Sequence, residues 1–92
     1  MFLSNYGHVL VCLAKDPDAR MRDVADVVGI TERAVQHIVH DLVEQGYVRK
    51  DKVGRRNRYD VVRDARFRHP LEAHVTLGQF VALVVDEAPA AR

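Results

Sequence analysis

Apolar residues recur at helical spacing in four stretches of this chain and alternate at strand spacing in two. In the first stretch, Tyr6, Val9, Leu10, Leu13 and Ala14 mark one face of a helix. Val11 and Cys12 widen that stripe, so the helix is expected to be buried on more than one side. Ser4 or Asn5 can cap its start. Pro17 stops it, and Asp16-Pro17-Asp18 reads as a turn. Residues 19–21 are expected to form a very short strand that returns to pair with a later hairpin.

The second stretch predicts a helix over Arg22–Val28 that buries Val24, Ala25 and Val28, with Met21 just before it. Gly29 suits the position after a helix, where positive φ is needed. Ile30 is expected to anchor the turn in the core. Thr31 is a good N-cap, and Glu32 is well placed against the helix dipole. The third helix is predicted over 32–45, with Ala34, Val35, Ile38, Val39, Leu42 and Val43 inward. Its opposite face carries Arg33, Gln36, His37, His40, Asp41 and Glu44. At 1.5 Å per residue it is roughly 20 Å long, enough to cross a nucleic-acid groove. Gly46 stops it.

Two alternating runs follow, Tyr47–Val53 and Arg58–Arg63, joined by Gly54-Arg55-Arg56-Asn57. Gly and Asn at this point suit a hairpin turn. Residues 64–75 read as a linker. Thr76-Leu77-Gly78-Gln79 matches a capping box, and a last helix is predicted over 76–87. Leu77, Phe80, Val81, Leu83, Val84 and Val85 make it too apolar to stand alone in water. Residues 88–92 are expected to fray. The fold class is therefore mainly α with a small β-hairpin: a winged helix-turn-helix of order α-α-α-β-β over 4–63, plus a C-terminal helix, in one domain spanning 1–92.

Charge sharpens this picture. The 92 residues carry a net charge of +1. Between Arg49 and Arg58 stand six cations and one anion, a local +5, so the remainder carries 1 − 5 = −4. Segregation of this kind is the footprint of a polyanion-binding edge on a mildly acidic body. A hairpin made basic for solubility is the plain alternative. Hydrophobic residues at 48% and charged residues at 29% fit a globular chain. No apolar run reaches the roughly 18 residues of a membrane helix, and no signal peptide is visible. One cysteine, Cys12, excludes an internal disulfide and suits a reducing cytoplasm.

Several residues carry a resemblance. They are Asp23-Val-Ala-Asp-Val-Val-Gly29-Ile30-Thr31, then Ala34–Leu42, then Glu44-Gln-Gly-Tyr-Val48, then the basic Gly54-Arg-Arg-Asn-Arg-Tyr59. In this order Met21–Val62 resembles the winged helix-turn-helix of bacterial transcription regulators of the MarR/ArsR type. The resemblance implies a homodimeric, repressor-like protein that binds double-stranded DNA. It places Thr31, Arg33, Gln36, His37 and His40 toward the major groove. It places Arg55, Arg56 and Arg58 on phosphates or in the adjacent minor groove, with Asn57 between them and Lys50 and Lys52 further from the tip. Arg22 stands where a Ser or Thr cap is usual. Full MarR-type chains are longer, and the Cys-rich metal motif of many ArsR-type regulators is absent here.

The chemistry of these side chains fits base reading, since Gln can bond adenine bidentately and Arg can bond guanine. An ordinary solvated helix face is the alternative. His37 and His40, at i and i+3, and His69 and His74 near the last helix do not have a spacing that forces a metal site. Cys12 in an apolar stripe reads as an inert thiol. No catalytic constellation and no cofactor motif are found. The leading expectation is a cytoplasmic, sequence-specific regulator with no enzymatic activity and no membrane partner, and with any small-molecule effector left open. It would read DNA with helix 32–45 and hold the backbone with wing 49–58. The apolar last helix is expected to dimerise. The alternative is a winged-helix protein-interaction module that docks a partner through that helix.

Overall fold

The computed structural model describes residues 3–85. Helices α1 (Asn5–Lys15), α2 (Met21–Val28) and α3 (Glu32–Glu44) precede strands β1 (Val48–Val53) and β2 (Arg56–Val61), and α4 (Leu77–Val85) follows. The order is that of a winged helix with a C-terminal helix. The last two residues expected in that helix, 86–87, and the expected fray at 88–92 lie outside the described residues.

Local chemistry explains the helix-turn-helix. Gly29 takes φ 86° and closes α2, its amide donating to the Ala25 carbonyl. A side chain at that φ would be strained, which is why glycine stands there. Thr31 caps α3, its hydroxyl accepting the Ala34 amide at 3.0 Å. That satisfies one of the amides left open at a helix start. The inward faces of α1, α2 and α3 meet in the core through Val9, Leu13, Val24, Val35, Ile38 and Leu42, all buried.

Several expectations are corrected. Residues 19–21 form no strand: Met21 already begins α2, and the segment meets the hairpin through a backbone bond from the Tyr59 amide to the Pro17 carbonyl. The hairpin turn is shorter than expected. Val53 pairs with Arg56 and Lys52 with Asn57, leaving only Gly54 and Arg55 between the strands. Arg56 and Asn57 are thus strand residues, because Gly54 supplies the positive φ and Asn57 is not needed for it.

Residues 64–75, expected as a linker, carry backbone order of their own. The Phe67 amide donates to Val75 and the Leu77 amide to Ala65, so the segment closes on itself through an Arg66–Thr76 bridge. Phe67 packs edge-on against Phe80, with ring centroids 5.8 Å apart. Arg68 reaches the Gln45 carbonyl at the end of α3 at 2.6 Å and lies over the Tyr47 ring.

The expected capping box is present. Thr76 accepts the Gln79 amide at 3.1 Å, and Gln79 accepts the Thr76 amide at 2.9 Å. Helix α4 then lies on its own domain. Leu77 and Val81 are buried and Phe80 packs on the core, so three of the apolar residues of the helix expected to dimerise are taken up by the chain's own core. Leu83 and Val84 remain on the outer side, 87% and 44% exposed. Gly78 lets this helix approach closely: a Cβ there would come within 3.0 Å of the Arg63 carbonyl.

Candidate nucleic-acid interface

Strand alternation decides where each side chain of the wing points. Val48 and Tyr59 are the buried positions of β1 and β2, and Lys50 pairs directly with Tyr59. Lys50, Lys52 and Asn57 therefore share the face that looks toward α3. Arg49, Asp51, Arg56, Arg58 and Asp60 occupy the other face.

A groove separates the wing from α3. One part, a cavity of about 510 Å³, has walls from Gln36, His40 and Glu44 on one side and Lys50 and Asn57 on the other, with Tyr59 among its lining. A neighbouring part, about 360 Å³, lies between Arg20, Arg22, Glu32 and Arg56 and shares Asn57 and Tyr59 with the first. The fold thus brings together Arg22, Gln36, His40, Lys50, Arg56 and Asn57 from four elements. Arg22 lies inside α2, whose N-cap is Arg20 rather than Arg22. Arg33 and His37 are exposed on α3, and Lys52 and Arg55 are exposed on the hairpin. Thr31 is spent on its cap.

The cations of the wing are not equivalent. Arg49 pairs with Asp51 on its own strand at 3.3 Å. Arg58 sits between two carboxylates, Asp18 at 2.9 Å and Asp60 at 3.3 Å, which raise its pKa in that order of influence. Arg56 donates to the Asp18 carbonyl at 2.8 Å and keeps its charge uncompensated. Among the described residues, Lys50, Lys52, Arg55 and Arg56 make no ion pair. Four of the six cations in the basic segment are therefore free to meet an anion, and two are already matched.

Helix α3 is tied down from behind. Asp41 accepts the Tyr6 hydroxyl from α1 and lies 3.4 Å from His37 Nε2. The bond to Asp41 raises the Tyr6 pKa, with desolvation second. Nothing in the sequence marked this contact, because its partners are 35 residues apart. Burial likewise pushes the Cys12 thiol up, which suits an inert thiol. Among the described residues no group of His, Cys, Asp and Glu is arranged to hold a metal ion, and no helix is long and apolar enough to cross a membrane.

Comparison with known proteins agrees with this geometry. Residues 7–49 match the family described as winged helix-turn-helix DNA-binding. The match takes in nearly all of α1, then α2 and α3, and stops at the start of β1. The similarity supports a DNA-binding regulator. No curated protein matches the chain.

Proposed function

We propose that the chain is a sequence-specific regulator that binds double-stranded DNA as a homodimer and represses by occupying its site. The observation that carries this reading is the shared groove. Base-reading side chains of α3, Gln36 and His40, stand across it from Lys50 and Asn57 on a hairpin with unpaired cations. In this reading α3 enters the major groove, where Arg33, Gln36, His37 and His40 meet base edges. Thr31 holds the helix start. Arg22, Lys50, Lys52, Arg55, Arg56 and Asn57 hold the backbone or the adjacent minor groove. Arg58 follows the wing with its charge already matched. The uncovered Leu83 and Val84 of α4, with Val27 of α2 at 77% exposure, supply apolar surface for a second copy. A single cysteine and the resemblance to bacterial regulators suit a cytoplasmic setting.

Selection of bound sites from random duplex DNA tests the reading. An enriched palindrome is expected, with half-sites about one helical turn apart. Gel shifts against single-stranded DNA and RNA should show weaker binding. No enrichment from the duplex pool, or equal binding to RNA, would overturn sequence-specific duplex reading. Sedimentation at micromolar concentration should show a dimer, and a monodisperse monomer would remove that part of the proposal.

A further inference from the structure

The turn between α1 and α2 holds the wing. Asp16 accepts the Asp18 amide through Oδ1 at 3.0 Å, which braces the turn from within. Three groups of the turn then meet β2. The Pro17 carbonyl accepts the Tyr59 amide at 3.0 Å. The Asp18 carbonyl accepts Arg56 Nη2 at 2.8 Å. The Asp18 carboxylate accepts Arg58 Nη1 at 2.9 Å. Asp60 takes the same guanidinium at Nε, 3.3 Å away.

An exposed ion pair contributes little to stability. The Asp18–Arg58 pair is more than a third exposed on both sides, so its stabilising effect is small. Its effect on charge placement is not small. Two carboxylates around one guanidinium leave the root of β2 with a local charge of 1 − 2 = −1. Carboxylate and phosphate compete for the same Arg fork. Arg58 is therefore not free to attract a polyanion, while Lys50, Lys52, Arg55 and Arg56 are.

We propose that Asp18 is a positioning residue for DNA binding, latching the wing to the α1–α2 turn and keeping Arg58 out of the set of cations that meets phosphate. The inference rests on the DNA-binding reading above. It makes Asp18 a determinant of discrimination. With the latch closed, the wing approaches the backbone with a defined set of cations at a defined distance from α3. With it open, Arg58 keeps only Asp60 at 3.3 Å, so one carboxylate fewer competes with phosphate for its fork, and the wing loses its fixed placement.

Asp18→Asn tests this, because it removes the charge and keeps the shape and the backbone carbonyl. On a random-sequence duplex, the plot of log K against log[salt] should steepen by about 0.9 for each protomer, one additional phosphate contact. The Tyr59 amide should also exchange faster with solvent. Adding Arg58→Ala to Asp18→Asn should abolish the steepening and leave the exchange fast. A purely structural role for Asp18 predicts weaker binding with an unchanged slope, and that result would overturn the proposal. So would a steepening that persists without Arg58. The exchange measurement needs no DNA: an unchanged Tyr59 rate in Asp18→Asn refutes the latch. Failure of the native protein to bind any duplex refutes the DNA reading instead.

Discussion

Helix α3 and the hairpin differ in both charge and packing. Within Glu32–Glu44, Arg33 stands against Glu32, Asp41 and Glu44, a net 1 − 3 = −2 with the histidines neutral. The segment 49–58 carries +5. Helix α3 buries Val35, Ile38, Val39 and Leu42. The hairpin anchors itself through Val48 and Tyr59 and leaves five of the six β1 residues exposed. Attraction and discrimination thus fall to different elements under the proposed function. A helix of net negative charge adds nothing to non-specific binding, which is dominated by phosphate contacts. It is held rigidly by the core, which is what base-edge geometry requires. The wing supplies charge from a thin and largely exposed ribbon.

The largest expected effect tests the packing half of this contrast. Leu42→Ala removes a buried side chain from the inner face of α3 and should cost about 2–5 kcal/mol of folding stability. Val53→Ala, 59% exposed near the tip of the wing, should stay within about 0.5 kcal/mol of the native protein. Urea denaturation measures both. Comparable losses would mean that the wing is as deeply anchored as the helix.

Next in size are the reading residues. Gln36→Ala and Arg33→Ala should each weaken specific binding by about 1–3 kcal/mol. Their melting curves should be nearly unchanged, since both lie on the exposed side of α3. Affinities for a selected site and for an unrelated duplex, measured side by side, decide the point. If both variants keep native discrimination, α3 is not the reading element.

Arg55→Ala should act differently. It removes one phosphate contact per wing, so a dimer should show a salt slope flatter by roughly 1.8. The loss should be alike on both duplexes, because phosphates carry no sequence information. A loss confined to the selected site with the slope intact would assign base or groove-width reading to the wing, and the division of labour would fail.

The smallest effect concerns the tether behind α3. The bond to Asp41 raises the Tyr6 pKa above 10.0, so the neutral phenol is favoured in the folded state. Its stabilisation is fully present below pH 10.0 and is lost as pH rises through the higher, folded value. Stability of the native protein should therefore fall more steeply above that pH than stability of Tyr6→Phe. Parallel pH profiles would show that the tether contributes nothing to holding the helix.

Legibility in the sequence followed the range of the interaction. The Thr31 cap and the Thr76–Gln79 box involve partners three residues apart, and both were readable as motifs. The end of α2 at Gly29 was readable for the same reason. The hairpin turn was misplaced by two residues because β1 buries only Val48, so its alternation says little about register. Residues 64–75 hold charges, histidines and a proline, which locally look like a connector. Their order comes from pairing with Val75 and Thr76 and from Phe80, which no short window contains. Helix α4 is apolar on every side, so its pattern could not say which side meets the core. Among the interface residues, types and elements were readable, but the matched charge of Arg58 was not. Asp18 is 40 residues away from it.

The joint between β2 and α4 is closed by backbone bonds. The Leu77 amide is bonded to Ala65, and the Gly78 amide donates to Arg63 at 2.8 Å, at the one position where a side chain would keep the two apart. The wing and the last helix are therefore the two arms of a single caliper. Whatever body is clamped to the outer side of α4 inherits the tilt of the hairpin. If that body is a second copy, the gap between the two wings is set by this joint and not by the length of any tether.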